Sequence, residues 1–303
     1  MIKNSIKKRI SISIISLMIL TIIYLIPTKK VYETVTTYNT NFNKVYLLNN
    51  DNLLIQTSLI SEKNETIDKA KEIINSLTIN TKTKNYINNN LKQIIPEKTQ
   101  LLDIQQDKDI LKLNFSKELL TVSSGLEEKM IESLVYSLTE LNGVNKIMIF
   151  VNGEMLLKLP NSNKDLPSTI SRDYGINKIY EITTISPINK MTLYYFIKID
   201  NKYDAVPVTI FTNDDTSKIE VIVKSLKSSL AYQTDLVSFL NNNTKLLDYE
   251  ISENTIKLNF NNSLLDNFYD DSLIEEVKYA ISSSLKDSLN ITDISYYIDG
   301  HAI

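Results

Sequence analysis

The sequence predicts an α+β protein: two tandem small domains, each ordered ββαββαβ with two helices on one face of a mixed sheet, behind an N-terminal transmembrane helix. Three observations predict it. Thr99–Leu120 (TQLLDIQQDKDILKLNFSKELL) recurs without a gap as Thr244–Leu265 (TKLLDYEISENTIKLNFNNSLL), 145 residues later and identical at ten of 22 positions, which marks an internal duplication. Around both segments, period-2 apolar runs alternate with stripes spaced three and four residues apart, the marks of strands and amphipathic helices. Finally, Ile10–Ile26 (ISISIISLMILTIIYLI) carries no charge.

As a helix rising ~1.5 Å per residue, Ile10–Ile26 reaches about 26 Å, near the lower limit for crossing a bilayer. Lys3, Lys7, Lys8 and Arg9 precede it, and Lys29 and Lys30 follow it. This balance predicts a cytoplasmic N-terminus and an extracytoplasmic body at the cytoplasmic membrane. No small-x-small cleavage site follows the apolar run, so the segment is expected to stay as an anchor. Residues 27–43 read as a polar spacer.

In the first copy, Val45–Leu48 and Leu53–Ile55 flank Asn49-Asn50-Asp51-Asn52 and predict a hairpin. Ile67, Ala70, Ile73, Ile74 and Leu77 form a helical stripe. Leu101-Leu102 opens a strand, and Leu111, Leu113 and Phe115 alternate with Lys112 and Asn114, so one face of that strand is buried and the other wet. Ser124 and Glu127 have capping-box spacing before the stripe Ile131, Leu134, Val135, Leu138 and Leu141. Ile147–Val151 is apolar throughout, as a strand interior to a sheet is, and Asn152-Gly153 is a tight hairpin turn.

The second copy repeats this order. Leu193–Ile199 and Ala205–Phe211 flank residues 200–204. Ile219, Ile222, Val223, Leu226 and Leu230 give the first helix, with Ser217 and Glu220 at capping-box spacing. Ile256, Leu258 and Phe260 alternate with Lys257 and Asn259. Ser272 and Glu275 repeat the capping box before Ile274, Val277, Ile281 and Leu285. Ile294–Ile298 closes the copy, and Asp299-Gly300 makes the last turn. The chain ends three residues later, so a short return strand and a mobile His301 are expected. The predicted boundaries are 1–9 cytoplasmic, 10–26 anchor, 27–43 spacer, 44–180 first domain, 181–190 linker and 191–303 second domain.

Composition excludes several chemistries. There is no Cys, which removes disulfides and thiolate metal sites, and the single His, His301 near the C-terminus, leaves a His-based metal site or a Ser-His-Asp triad almost nothing to work with. No cofactor or metal is expected. Residues 31–303 hold 27 basic and 36 acidic residues, with Arg172 the only Arg, a poor basis for nucleic-acid binding. There is no Gly-rich phosphate loop and no nucleophile elbow, and no enzyme activity is expected. Glu127, Glu128, Glu132 and Glu140 read as a solvated helix face. Arg172 is expected to fix the interdomain segment by pairing with a carboxylate.

The candidate partner-binding residues are Lys112 and Asn114, with Lys257 and Asn259 at the same strand positions. Tyr136 and Tyr279 join them, read as equivalent helix positions beside the apolar stripe. Lys-x-Asn on an open strand face presents charge and amide together. Tyr is favoured at interfaces for its apolar body and polar tip.

In the first copy, Ile95-Pro96-Glu97-Lys98-Thr99-Gln100-Leu101-Leu102, Leu111–Leu119, Leu134–Leu141 and Ile149–Glu154 occur in that order, followed by Leu159-Pro160, Ser171-Arg172-Asp173 and Ile176-Asn177. This resembles the GerMN domain, the module of the GerM sporulation and germination family, well over 44–180 and more weakly over 191–303. The chain departs from the family pattern at Lys98, where a Gly is common, and the second copy lacks the Pro-Glu. The resemblance implies a ring-building-motif-like fold, αββαβ after the opening hairpin, and a non-enzymatic part in the channel between mother cell and forespore. It implies other sporulation envelope proteins, and the chain itself, as partners. The alternative reading is an extracytoplasmic module that binds a small ligand or cell-wall fragment, favoured by a pocket between the domains lined with Tyr and Asn.

Overall fold

The computed structural model describes residues 41–79, 90–185, 187–227, 235–265, 271–289 and 291–303. The expected anchor, residues 27–40 of the spacer, and Leu230 lie outside them. Among the described residues no helix is long and apolar enough to cross a membrane.

The predicted order holds in both copies. The first runs β1 (Asn41–Leu48), β2 (Leu54–Ser61), α1 (Thr66–Leu77), β3 (Leu101–Asp107), β4 (Ile110–Phe115), α2 (Glu127–Leu138) and β5 (Lys146–Val151), with short additions β6 (Glu154–Met155) and β7 (Ile170–Ser171). After β8 (Ile179–Glu181) the second runs β9 (Asn189–Ile199), β10 (Lys202–Thr212), α3 (Lys218–Lys227), β11 (Leu246–Ser252), β12 (Thr255–Phe260), α4 (Asp271–Leu289), β13 (Asp293–Ile298) and β14 (His301–Ala302). The stripes face inward: Ala70, Ile73, Ile74 and Leu77 are buried on α1, and Ile131, Leu134, Val135 and Leu138 on α2.

The closing strands of each copy form a mixed sheet, ordered β3-β4-β5-β6 in the first and β11-β12-β13-β14 in the second. β3 runs antiparallel to β4, and β4 parallel to β5; β11, β12 and β13 repeat this. Leu111, Leu113, Phe115, Ile147 and Ile149 point into the core, as do Ile256, Leu258 and Phe260.

The opening hairpins depart from the prediction of one sheet per copy. β1–β2 is a sheet of its own, and β9–β10 forms another with β8. The physical reason lies in the helices. α2 stands along β1, and α4 along β9. Ser137 Oγ accepts from the Tyr46 amide at 3.0 Å, and Ser133 donates to the Tyr46 carbonyl at 2.6 Å. In the second copy Ser284 Oγ accepts from the Tyr194 amide at 2.9 Å and Ser288 Oγ from the Thr192 amide at 3.0 Å. Hydroxyls one helical turn apart thus take bonds that a neighbouring strand would otherwise take, and they seal an edge that is open to mispairing. Removing Ser137 or Ser284 with Ala leaves a buried amide unpaired. Each variant is expected to lose about 1–3 kcal/mol, read as a lower midpoint at unchanged slope in urea unfolding.

Three local expectations change. The turn of the second hairpin is Asp200-Asn201 alone, because Lys202, Tyr203 and Asp204 continue the ladder opposite Ile199, Lys198 and Ile197. His301 is not mobile but pairs with Ile298 in β14, so the return strand has the same two-residue length in both copies. The capping box at Ser124 and Glu127 does not form. α2 begins at Glu127 with no side-chain cap. The Glu127 carboxylate is instead fully buried and accepts from the amides of Asn161 and Ser162 at 2.9 and 2.8 Å.

Candidate functional site at the junction of the two copies

Lys112, Asn114, Lys257 and Asn259 lie on the open faces of the mixed sheets, where alternation puts them. There they serve the sheet itself. Asn114 Oδ1 accepts from the Gly153 amide at 2.9 Å, and Asn259 Oδ1 from the Gly300 amide at 2.9 Å. Both bonds tie the closing turn, whose two residues have positive φ in each copy, as an Asn-Gly or Asp-Gly hairpin requires. Lys112 pairs with Asp107 at 2.8 Å and Lys257 with Glu250 at 3.0 Å. The recurring Lys-x-Asn therefore has a structural account in each copy, and the two motifs occupy separate sheets.

The tyrosines go elsewhere. Tyr136 is 0% exposed, so it is a junction residue and not a surface contact. Its hydroxyl donates to the Arg172 carbonyl at 3.2 Å, and burial pushes its pKa up to about 12. Tyr279 is half-buried, with its hydroxyl donating to Gln56 Oε1 at 2.9 Å. The two are not equivalent positions. β4 and β12 are offset by 145 residues, but the parallel partners Ile110↔Lys146 and Thr255↔Asp293 show that β5 and β13 are offset by 147. The Ser137 and Ser284 bonds give the same offset for α2 and α4. Two extra residues between β12 and α4 therefore place Tyr279 opposite Glu132, and Tyr136 opposite Ser283.

Both tyrosines nevertheless join one network, centred on Arg172. The guanidinium donates from Nη1 to both Asp287 oxygens at 2.8 and 2.9 Å, from Nε to Thr139 Oγ1 at 3.0 Å, and from Nη2 to Glu140. Glu140 belongs to the first copy and Asp287 to the second, so the expected carboxylate pairing occurs twice and bridges the copies. Arg172 also lies 4.8 Å over the Tyr136 ring, and the Tyr46 hydroxyl donates to Glu140 at 3.0 Å. The Arg172 side chain is 22% exposed, Glu140 19% and Asp287 15%. Burial alone would lower the Arg172 pKa, but Asp287 and the surrounding hydroxyls and carboxylate raise it well above its ordinary value.

Burial would likewise raise the Glu140 pKa, yet Arg172, Lys44 and the Tyr46 hydroxyl hold it below the usual carboxylate value. A folded pKa below the unfolded one contributes stability above the ordinary carboxylate range, and that stability is lost as pH falls through the folded pKa. The melting temperature is therefore expected to drop on acidification below about pH 4.5. A melting series in matched ionic strength should show a shallower acid slope for Glu140→Gln than for the parent.

Asn177 is a second bridge. Its side-chain Nδ2 donates to the carbonyls of Leu54 on β2 and Pro207 on β10, both at 2.8 Å, while Oδ1 accepts from the Leu54 amide at 2.9 Å. Its own amide donates to Glu132 at 3.0 Å. Glu132 also pairs with Lys129 and Lys178, and Glu128 with Lys164 and Lys178. The four glutamates are thus not a solvated face: Glu127 and Glu132 are buried, and all four join α2 or the turn that follows it to later segments. β8 pairs in parallel with β10, so the segment after Arg172 is built into the second copy.

Beside this junction lies an open cleft of about 1410 Å³, walled by β2, the β9–β10 turn, α4 and β13. Phe196, Ile199 and Ala205 are its most buried linings. Tyr203, Tyr279, Tyr296, Gln56 and Asn201 line it with charged side chains of both signs. The serines were not among the residues singled out by sequence; Asn177 entered only as part of the resemblance, and a Tyr- and Asn-lined pocket only as the condition of the alternative reading, without its residues. Ser137 and Ser284 had one signal, a small polar residue inside an apolar stripe. Among the described residues no cluster of three His, Asp or Glu is arranged to hold a metal ion.

Comparison with known proteins places this architecture. Spore germination protein GerM of Bacillus subtilis (strain 168) is 21% identical over 268 residues, covering 86% of this chain and 72% of GerM. The solved tandem GerMN domains of the sporulation protein GerM from Bacillus subtilis share the fold, with a TM-score of 0.75 over 86% of this chain and 92% of that one, at 21% identity. The family model Germane, described as "Sporulation and spore germination", matches residues 44–157 and 192–303. Both copies, and most of the chain, are thereby accounted for: the protein belongs to the Germane family.

Proposed function

We propose that this protein serves sporulation as a non-enzymatic assembly protein. Ile10–Ile26 holds it at the cytoplasmic membrane, and both copies lie outside. It contributes to a mother cell–forespore channel or a similar envelope complex, with envelope proteins and further copies of itself as partners. The observation that carries this reading is the junction. Arg172 and Asn177 lock two copies of a sporulation-family module into one unit, and such a unit presents several surfaces at fixed spacing. The strands β3 and β11 stand at the outer edges of their sheets, where a partner strand can add.

The test is the heat-resistant spore count of a strain lacking the gene, with engulfment followed by membrane dye. Stalled or collapsed forespores are expected. Normal spores in normal numbers would reject the reading. The cleft favours a second reading, an extracytoplasmic ligand-binding module, because it lies between the copies and is lined by Tyr and Asn.

A further inference from the structure

We propose that the cleft between the copies binds a linear, uncharged oligosaccharide of N-acetylhexosamine type. The proposal rests on the ligand-binding reading and gives it a chemical class. The cleft volume of about 1410 Å³ exceeds the roughly 300–1,000 Å³ that houses one drug-sized molecule, so its occupant spans several units. The lining pairs aromatic rings with planar polar groups. Tyr203 is 40% exposed and is braced against Phe239 in a T-shaped contact at 4.8 Å. The Tyr296 hydroxyl donates to the Lys278 carbonyl at 3.2 Å, and the Tyr279 hydroxyl is held by Gln56. Those rings are fixed in advance, which lowers the cost of ordering them on binding.

A pyranose suits such walls. Its C–H face stacks on an aromatic ring, and its hydroxyls both donate and accept. Asp204, the Asn201 amide and Nε2 of Gln56, whose Oε1 already accepts from Tyr46 and Tyr279, are the matching groups here, and the amide donors suit an N-acetyl carbonyl. Among the described residues the lining holds five carboxylates and three lysines, Lys202, Lys278 and Lys286. The excess carboxylates repel a polyanion and the three lysines a polycation, so a ligand without net charge is the one that neither set opposes.

The test is calorimetric titration of the full chain, in a polyoxyethylene detergent, with the β-1,4-linked tetramer of N-acetylglucosamine, repeated with Tyr203→Ala and Asp204→Asn. Saturable binding is expected, weakened about tenfold or more by either change, with melting temperatures near that of the parent. Absence of saturation at about 10 mM tetramer, or binding that neither variant weakens, would overturn the proposal. A muropeptide-like acidic fragment and an uncharged tetrapeptide serve as comparison probes. If one of them binds in a Tyr203-dependent manner and the tetramer does not, the sugar assignment fails and the ligand-binding reading stands. If none binds, both fail.

Discussion

Replacing Arg172 with Ala is expected to destabilise the protein by about 3–5 kcal/mol, the usual consequence of stripping the partner from buried charge. Glu140 and Asp287 would be left facing each other across the junction, each less than one-fifth exposed. In a body of this size that corresponds to a fall of roughly 10 °C in melting temperature. Arg172→Lys should recover only part of the loss. One ammonium cannot reproduce the fork that reaches Asp287, Glu140 and Thr139 together. Adding Glu140→Gln and Asp287→Asn to Arg172→Ala should restore stability, since the unpaired charge is then gone. That double-mutant logic separates the cost of isolated carboxylates from the worth of the network. Calorimetric melting of the four proteins at neutral pH checks it, and a triple variant no more stable than Arg172→Ala would disprove the mechanism.

Asn177→Ala is the second large effect, expected at about 3 kcal/mol or more. It orphans the Leu54 amide and two carbonyls on strands of different copies, and it puts a Cβ-bearing residue without a local hydrogen bond at φ 47°. Asn177→Gly removes the same side-chain bonds but relaxes the backbone, so it should be the milder variant by about 1 kcal/mol. Urea unfolding followed by circular dichroism measures both. The variants are also expected to broaden the transition, as β2 and β10 lose the amide that spans them.

Much of this fold was legible in advance, and the reasons are local. Leu111, Leu113 and Phe115 alternate because β4 has one buried face. Ile73, Ile74 and Leu77 sit at helical spacing because α1 has one buried stripe. Asn152-Gly153 and Asp299-Gly300 announce themselves because few other pairs tolerate two positive φ angles. What stayed hidden is tertiary. Glu127 reads as a cap in sequence, yet its carboxylate is taken by Asn161 and Ser162, more than thirty residues on. Ser133, Ser137, Ser284 and Ser288 read as small hydroxyls facing water until a strand edge lies against them. Arg172 was readable as a fastener because it stands alone, but its two carboxylate partners, Glu140 just past the end of α2 and Asp287 on α4, lie 147 residues apart. The repeated Asn of the candidate Lys-x-Asn motif fastens a turn in each copy, a role that repetition alone cannot reveal.

The two-residue offset between the helices carries a consequence for how this molecule arose and what it has since become. After a duplication, each half starts with the same surface, but a junction between head and tail asks different things of its two sides. Glu132 secures Asn177, while its counterpart Tyr279 reaches Gln56; Tyr136 is sealed against Arg172, while its counterpart is Ser283. The halves have kept one plan and exchanged their symmetry for complementarity. They are no longer interchangeable.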